Sequence, residues 1–199
     1  MKRKTKWLFG VFIIIILIGG MFFLSKKINV NPTYSVGEKI DSLDGVYVFY
    51  NGGTDHILGR NTSKDGYNIG LQYQCVEFVK RYYYEHYKHK MPNSYGNAID
   101  FFNPNLKDGE MNADRNLIQY SNSSTMQPRK GDLLIYSGTT GNKFGHVSIV
   151  SEVKDDEIEI IQQNPGQFAP SRIWFDLEYN KKKRWKIDNK RILGWLRKE

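Results

Sequence analysis

The chain has 199 residues, 40% hydrophobic and 14% aromatic, with a formal net charge of +8. That length suits one domain rather than two, and the composition excludes disorder for the bulk of the chain. Four of the 29 basic residues (Lys2, Arg3, Lys4 and Lys6) crowd the N-terminus, and the other 25 face 21 acidic ones. So mild a field, with its densest basic run confined to 181–186, does not mark a nucleic-acid binder. The single cysteine excludes a disulfide framework and a cysteine-based zinc site.

Residues 7–24 run without a charge and are dominated by Ile, Leu, Phe and Val. At about 1.5 Å per residue they approach the hydrocarbon thickness of a bilayer. Basic residues precede this run, with only Lys26 and Lys27 close behind it, so the positive-inside bias puts residues 1–6 in the cytoplasm and the remainder outside. A cleavable signal peptide is the rival reading. The run is longer than a usual signal core, and Met21-Phe22-Phe23-Leu24-Ser25-Lys26 offers no small-residue cleavage site, which favours an uncleaved signal anchor. Residues 25–45 read as a tether, and 46–199 as the domain.

Val46-Tyr47-Val48-Phe49-Tyr50 before Asn51-Gly52-Gly53 predicts a strand ending in a turn. Residues 59–70, rich in Gly, Asn, Ser and Asp, predict a loop leading into Cys75. After it, Val76, Val79, Tyr83 and Tyr87 recur at helical spacing, so a helix is expected over 74–87. Residues 95–116 give little beyond a short helix near 98–102. A turn at Arg129-Lys130-Gly131-Asp132 precedes three expected strands, 133–136, 145–150 and 157–164, in an antiparallel meander, and 191–196 reads as a closing strand.

Cys75 sits where a helix N-terminus would lower a thiol pKa and favour the nucleophilic thiolate. His86 and His89 look solvated and His56 lies in a loop, whereas His146 opens a strand after Gly145, a rigid place for a general base. Such a histidine needs a third group to fix its tautomer. Period two puts Ile158, Ile160, Gln162 and Asn164 on one strand face, so either amide could orient it. The backbone N–H of Cys75 and the Gln74 side chain are candidate oxyanion donors. Each feature alone has a plainer reading: a buried core cysteine, a structural histidine, an Asn before Pro165-Gly166 serving a turn. Their conjunction in one chain order is what points to chemistry.

Tyr73-Gln74-Cys75-Val76-Glu77-Phe78, Lys130-Gly131-Asp132-Leu133-Leu134, Gly145-His146-Val147-Ser148-Ile149-Val150 and Gln162-Gln163-Asn164 resemble, in order and spacing, the CHAP family of cysteine, histidine-dependent amidohydrolases/peptidases. The Gln-Cys-Val-Glu-Phe form, with Ile192-Leu193-Gly194-Trp195, is similar to the amidase domain of glutathionylspermidine synthetase/amidase. The resemblance implies an α+β, papain-like fold in which a helix carrying the nucleophile packs on an antiparallel sheet. It also implies hydrolysis of an amide bond, with Cys75 as nucleophile, His146 as general base and Asn164 as a polar site residue. The chain departs from the family at Gln162, where relatives often have a carboxylate.

Two substrate classes follow, peptidoglycan or a small amide conjugate, and the predicted topology favours the wall. A different class, an inactive CHAP-like module binding cell wall or a partner, is motivated by Gln162 and opposed by retention of Cys75 with His146. The mechanism requires no metal or cofactor.

Overall fold

The computed structural model describes residues 2–199, with the backbone alone for 2–6 and 22. Met1 and the side chains of the expected basic tail therefore lie outside the described residues. Helix α1 (Lys2–Ser25) contains a window, Trp7–Ser25, long and apolar enough to cross a membrane, and none of it is buried within the protein.

The stretch read as a tether carries strand β1 (Lys39–Leu43), which pairs with β2 (Val46–Phe49) through the turn at Asp44-Gly45, both at positive φ. Arg172 holds β1 by donating to Asp41 at 3.0 Å. The expected loop at 59–70 is instead a second hairpin, β3 (Gly59–Thr62) with β4 (Asn68–Gln72). Glycine is required at position 70 of β4 because Gly70 (φ +144°) passes against the Glu77 backbone, where a Cβ would collide.

Helix α2 (Cys75–Glu85) is flanked by β4, β2 and the main sheet. Residues 77–83 are all buried, so this helix has no solvent face to mark with polar residues. It ends before residue 87, with Lys88 in the left-handed region. A short 3-10 turn (Ala98–Phe101) follows, and then β5 (Glu110–Asn112) and β6 (Leu117–Ser121), neither of them expected from the sequence.

The expected meander is present as β7 (Leu133–Tyr136), β8 (His146–Val153) and β9 (Glu157–Ile161), all antiparallel. It lies within one antiparallel sheet of eight strands, ordered β11 (Trp185–Ile187), β10 (Arg172–Tyr179), β9, β8, β7, β12 (Ile192–Arg197), β6, β5. The Gly131-Asp132 turn is pinned to β12 by a buried bidentate pair, Arg197 to Asp132 at 2.9 and 2.7 Å.

Alternation along the strands feeds two cores. Leu133, Ile135, Val147, Ile149 and Ile161 pack with Phe78, Val79, Tyr82 and Tyr83 of α2. Leu134, Tyr136, Val150, Ile158 and Ile160 pack with Trp195 on the opposite face. That second face is enclosed because the sheet curls: Trp185 of β11 bridges to Ser124, just beyond β6.

Gly194 lies where β12 runs between β6 and β7, and a Cβ there would strike the Tyr120 carbonyl and the Phe102 ring. Gly194→Ala is expected to lower stability by about 1–3 kcal/mol through overpacking, read as a lower urea midpoint.

Candidate active site

The site lies at one end of the sheet, where β8 begins, β9 finishes and α2 starts. Cys75 is the first residue of α2, and Gln74 stands outside the helix in extended conformation (φ −78°, ψ 162°). The backbone N–H groups of Val147, Val76 and Cys75 lie close enough to the sulfur to favour its thiolate. Val147 follows His146 in β8, so the helix start and the histidine strand meet there.

Tyr136 is the cross-strand partner of His146, with its ring centroid 5.6 Å from the imidazole. His146 Nε2 is 2.9 Å from Gln162 Oε1. The Gln162 amide is oriented by its own Nε2, which donates to the Pro170 carbonyl at 3.2 Å. The oxygen therefore faces the imidazole, Nε2 carries the hydrogen, and Nδ1 keeps a free lone pair. Of the two candidate orienting amides, the structure uses Gln162.

Asn164 goes elsewhere. Strand β9 stops at Ile161 and Asn164 adopts φ +57°, so two-residue alternation no longer governs its direction. Its Nδ2 donates to Gln74 Oε1 at 2.8 Å and to the Thr54 carbonyl at 2.9 Å, while Oδ1 is buried without a partner among the described residues. Gln74 Nε2 in turn donates to the carbonyls of Thr54 (3.1 Å) and His56 (2.9 Å). Both amide hydrogens of Gln74 are thus engaged, and of the two candidate oxyanion donors only the Cys75 N–H remains. Thiol and imidazole reach the same end of the sheet, and no hydrogen bond joins them.

Two residues not anticipated from sequence hold this arrangement. Glu77, fully buried on α2, accepts from Arg81 Nε (2.7 Å), Asn61 Nδ2 (2.8 Å) and Gln163 Nε2 (2.8 Å). Gln163 also donates to the Gln74 carbonyl (3.0 Å) and accepts from the Phe49 N–H (2.8 Å). Every polar atom of its side chain is used, joining the end of β9 to the first turn of α2. A carboxylate two residues after the cysteine, within an apolar helical pattern, was the available signal.

Burial pushes the Cys75 thiol pKa up, against the pull of the three N–H groups. The expected lowering at a helix start is corrected here, because desolvation of a thiolate outweighs those dipoles. Burial likewise pulls His146 down to about 4, the Gln162 bond working against the fall and the Arg191 charge adding to it. At neutral pH both groups rest uncharged. Among the described residues no group of three His, Cys, Asp or Glu could hold a metal ion.

Among known families, residues 64–164 match the CHAP domain. A trypanothione synthetase from Crithidia fasciculata is 31% identical over 116 residues, 58% of this chain and 18% of that protein. The chain thus matches less than a fifth of that relative's length. The crystal structure of Ly7917, alone and with the hydrolyzing product of MDP, is 26% identical over 38% of this chain and 30% of that one, with a TM-score of 0.28.

Two predictions follow from the geometry. Gln163→Ala leaves Glu77 and the Phe49 N–H short of a buried partner and is expected to cost about 1–3 kcal/mol, seen in denaturant unfolding. Because the His146 pKa is lowered on folding, the unfolded chain takes up the proton first. Its contribution to stability is present above pH 6.5 and is lost as pH falls through about 4. NMR of labelled histidine should show the imidazole neutral at pH 6; titration between 6 and 7 would contradict this.

Proposed function

Because the chain belongs to the CHAP domain family, we propose that it is a membrane-anchored cysteine amidohydrolase cleaving an amide bond in peptidoglycan. The observation that carries the reading is the His146–Gln162 bond, which presents a basic Nδ1 at the end of the sheet where the Cys75 sulfur lies. Residues 7–24 serve as the anchor, with 1–6 in the cytoplasm and the domain outside, as the hydropathy of α1 and the flanking charges favour.

In the reaction, His146 Nδ1 takes the Cys75 proton as sulfur attacks the amide carbonyl. Substrate binding brings thiol and imidazole into hydrogen-bond reach, a tightening common to hydrolytic sites. The Cys75 N–H stabilises the oxyanion. Collapse returns the proton from Nδ1 to the departing amine and leaves a thioester. Water, deprotonated by Nδ1, then attacks the thioester and releases the acid and the thiol. Gln162 fixes the tautomer throughout, and Asn164 positions Gln74 by donating to its Oε1.

A second reading, hydrolysis of a small amide conjugate, is favoured by the likeness to the trypanothione synthetase. Full-length protein in detergent, incubated separately with purified peptidoglycan and with glutathionylspermidine, separates the two. Wall fragments identified by mass spectrometry and lost in Cys75→Ser support the first. Identical wall profiles with and without Cys75, alongside cleavage of the conjugate, would leave only the second. Inertness toward both would favour a binding module.

The neutral resting pair also predicts the pH profile. The acid limb of kcat/KM should lie near the His146 value of about 4. Gln162→Glu would place a carboxylate against Nε2–H, favour the imidazolium and move that limb up by about one to three pH units. An unmoved limb would remove Gln162 from its orienting role.

A further inference from the structure

The end of α1 and the residues after it are fastened to three loops, and all three border the site. Gln167 Nε2 donates to the carbonyls of Ser25 (2.5 Å) and Ile28 (3.0 Å), and its Oε1 accepts from the Val30 N–H (2.7 Å). The Asp55 N–H donates to the Lys26 carbonyl at 2.8 Å. Gly53 lies so close that a Cβ there would strike the same carbonyl. Lys26 Nζ donates to the Gly141 carbonyl at 3.1 Å. The loop at 51–58 supplies the carbonyls that hold Gln74, the loop at 137–145 leads into His146, and the loop at 162–171 begins with Gln162 and contains Asn164.

Each loop also turns a large apolar side chain to solvent. Leu58 is 57% exposed, Phe144 52% and Phe168 74%, with Ile28 at 52% between them and α1. Lys143 Nζ lies 5.4 Å from the Phe144 ring. Apolar and aromatic tips with lysines among them, gathered where an apolar helix of bilayer length emerges, have the makeup of a surface that sits among lipid headgroups. We propose that this rim is seated in the headgroup layer of the bilayer that α1 spans, so that the cleft opens along the membrane face. The inference rests on the anchor reading of α1. It narrows the substrate to an amide-bearing chain presented at that face, in place of one deep in the wall.

Site-directed spin labelling tests this in full-length protein reconstituted into vesicles of phosphatidylglycerol and phosphatidylcholine. Single cysteines in a Cys75→Ser background would be Leu17→Cys in α1, Phe144→Cys and Phe168→Cys on the rim, and Tyr179→Cys at the far end of β10. The expected oxygen-to-nickel-chelate accessibility ratio is highest at 17 and several-fold higher at 144 and 168 than at 179. If 17 reads as lipid while 144 and 168 match 179, the rim does not touch the membrane and the proposal falls while the anchor stands. A water-like reading at 17 overturns the anchor and the rim with it. Neither result depends on which amide bond is cleaved.

Discussion

The Glu77 carboxylate is the constraint on which the site depends. It is fully buried, and a charge in that position is tolerated only when paired and fully hydrogen-bonded. Its three donors come from β3, from α2 itself and from the second residue after β9. Arg81 extends the network to the Tyr47 carbonyl of β2 at 2.8 Å. Removing one partner of such a pair costs about 3–5 kcal/mol, since the other charge is left stranded. Helix α2 is therefore fixed in rotation and height relative to both hairpins and the sheet, and Cys75, two residues before Glu77, inherits that placement.

The same burial sets the electrostatics. A cysteine hydrolase can rest as a thiolate–imidazolium pair or as two neutral groups, and the choice turns on how much water and counter-charge surround them. Here no carboxylate accepts from the imidazole; Gln162 does, and a neutral amide gives orientation without stabilising the imidazolium. With Arg191 nearby, protonation of His146 is further disfavoured. Both groups therefore rest uncharged, with the N–H groups of Cys75, Val76 and Val147 as the dipoles nearest the sulfur.

What the sequence disclosed and what it hid follow from one difference. The α2 segment and the strands of the meander carry strong periodicity and strand-like runs, because their side chains fill the two cores. The alternation in β9 also paired Gln162 with the face that bears His146. Hairpin β3–β4 carries Gly, Asn and Asp, so its composition does not separate strand from loop, β5 is only three residues long, and the apolar positions of β6 lie in a short five-residue run after a polar region. Asn164 escaped the alternation because a left-handed residue resets the chain direction, which period two cannot register. Gln163 was passed over between two named neighbours because its role exists only through partners at 49, 74 and 77, which the fold alone brings together.

The loop at 51–58 links this machinery to the N-terminal helix. Asn51 Nδ2 donates to the carbonyls of Gly53 (3.0 Å) and His56 (3.1 Å), and its Oδ1 accepts from the Tyr73 N–H at 2.9 Å. The loop is thus braced from within and tied to the residue before Gln74. The carbonyls of Thr54 and His56 then hold the Gln74 amide, and Asp55 between them is bonded to the Lys26 carbonyl. A short run of backbone groups therefore connects the exit of α1 to Gln74, the residue preceding Cys75. The helix end is thus joined to the site through this loop, as it is through the loops at 137–145 and 162–171.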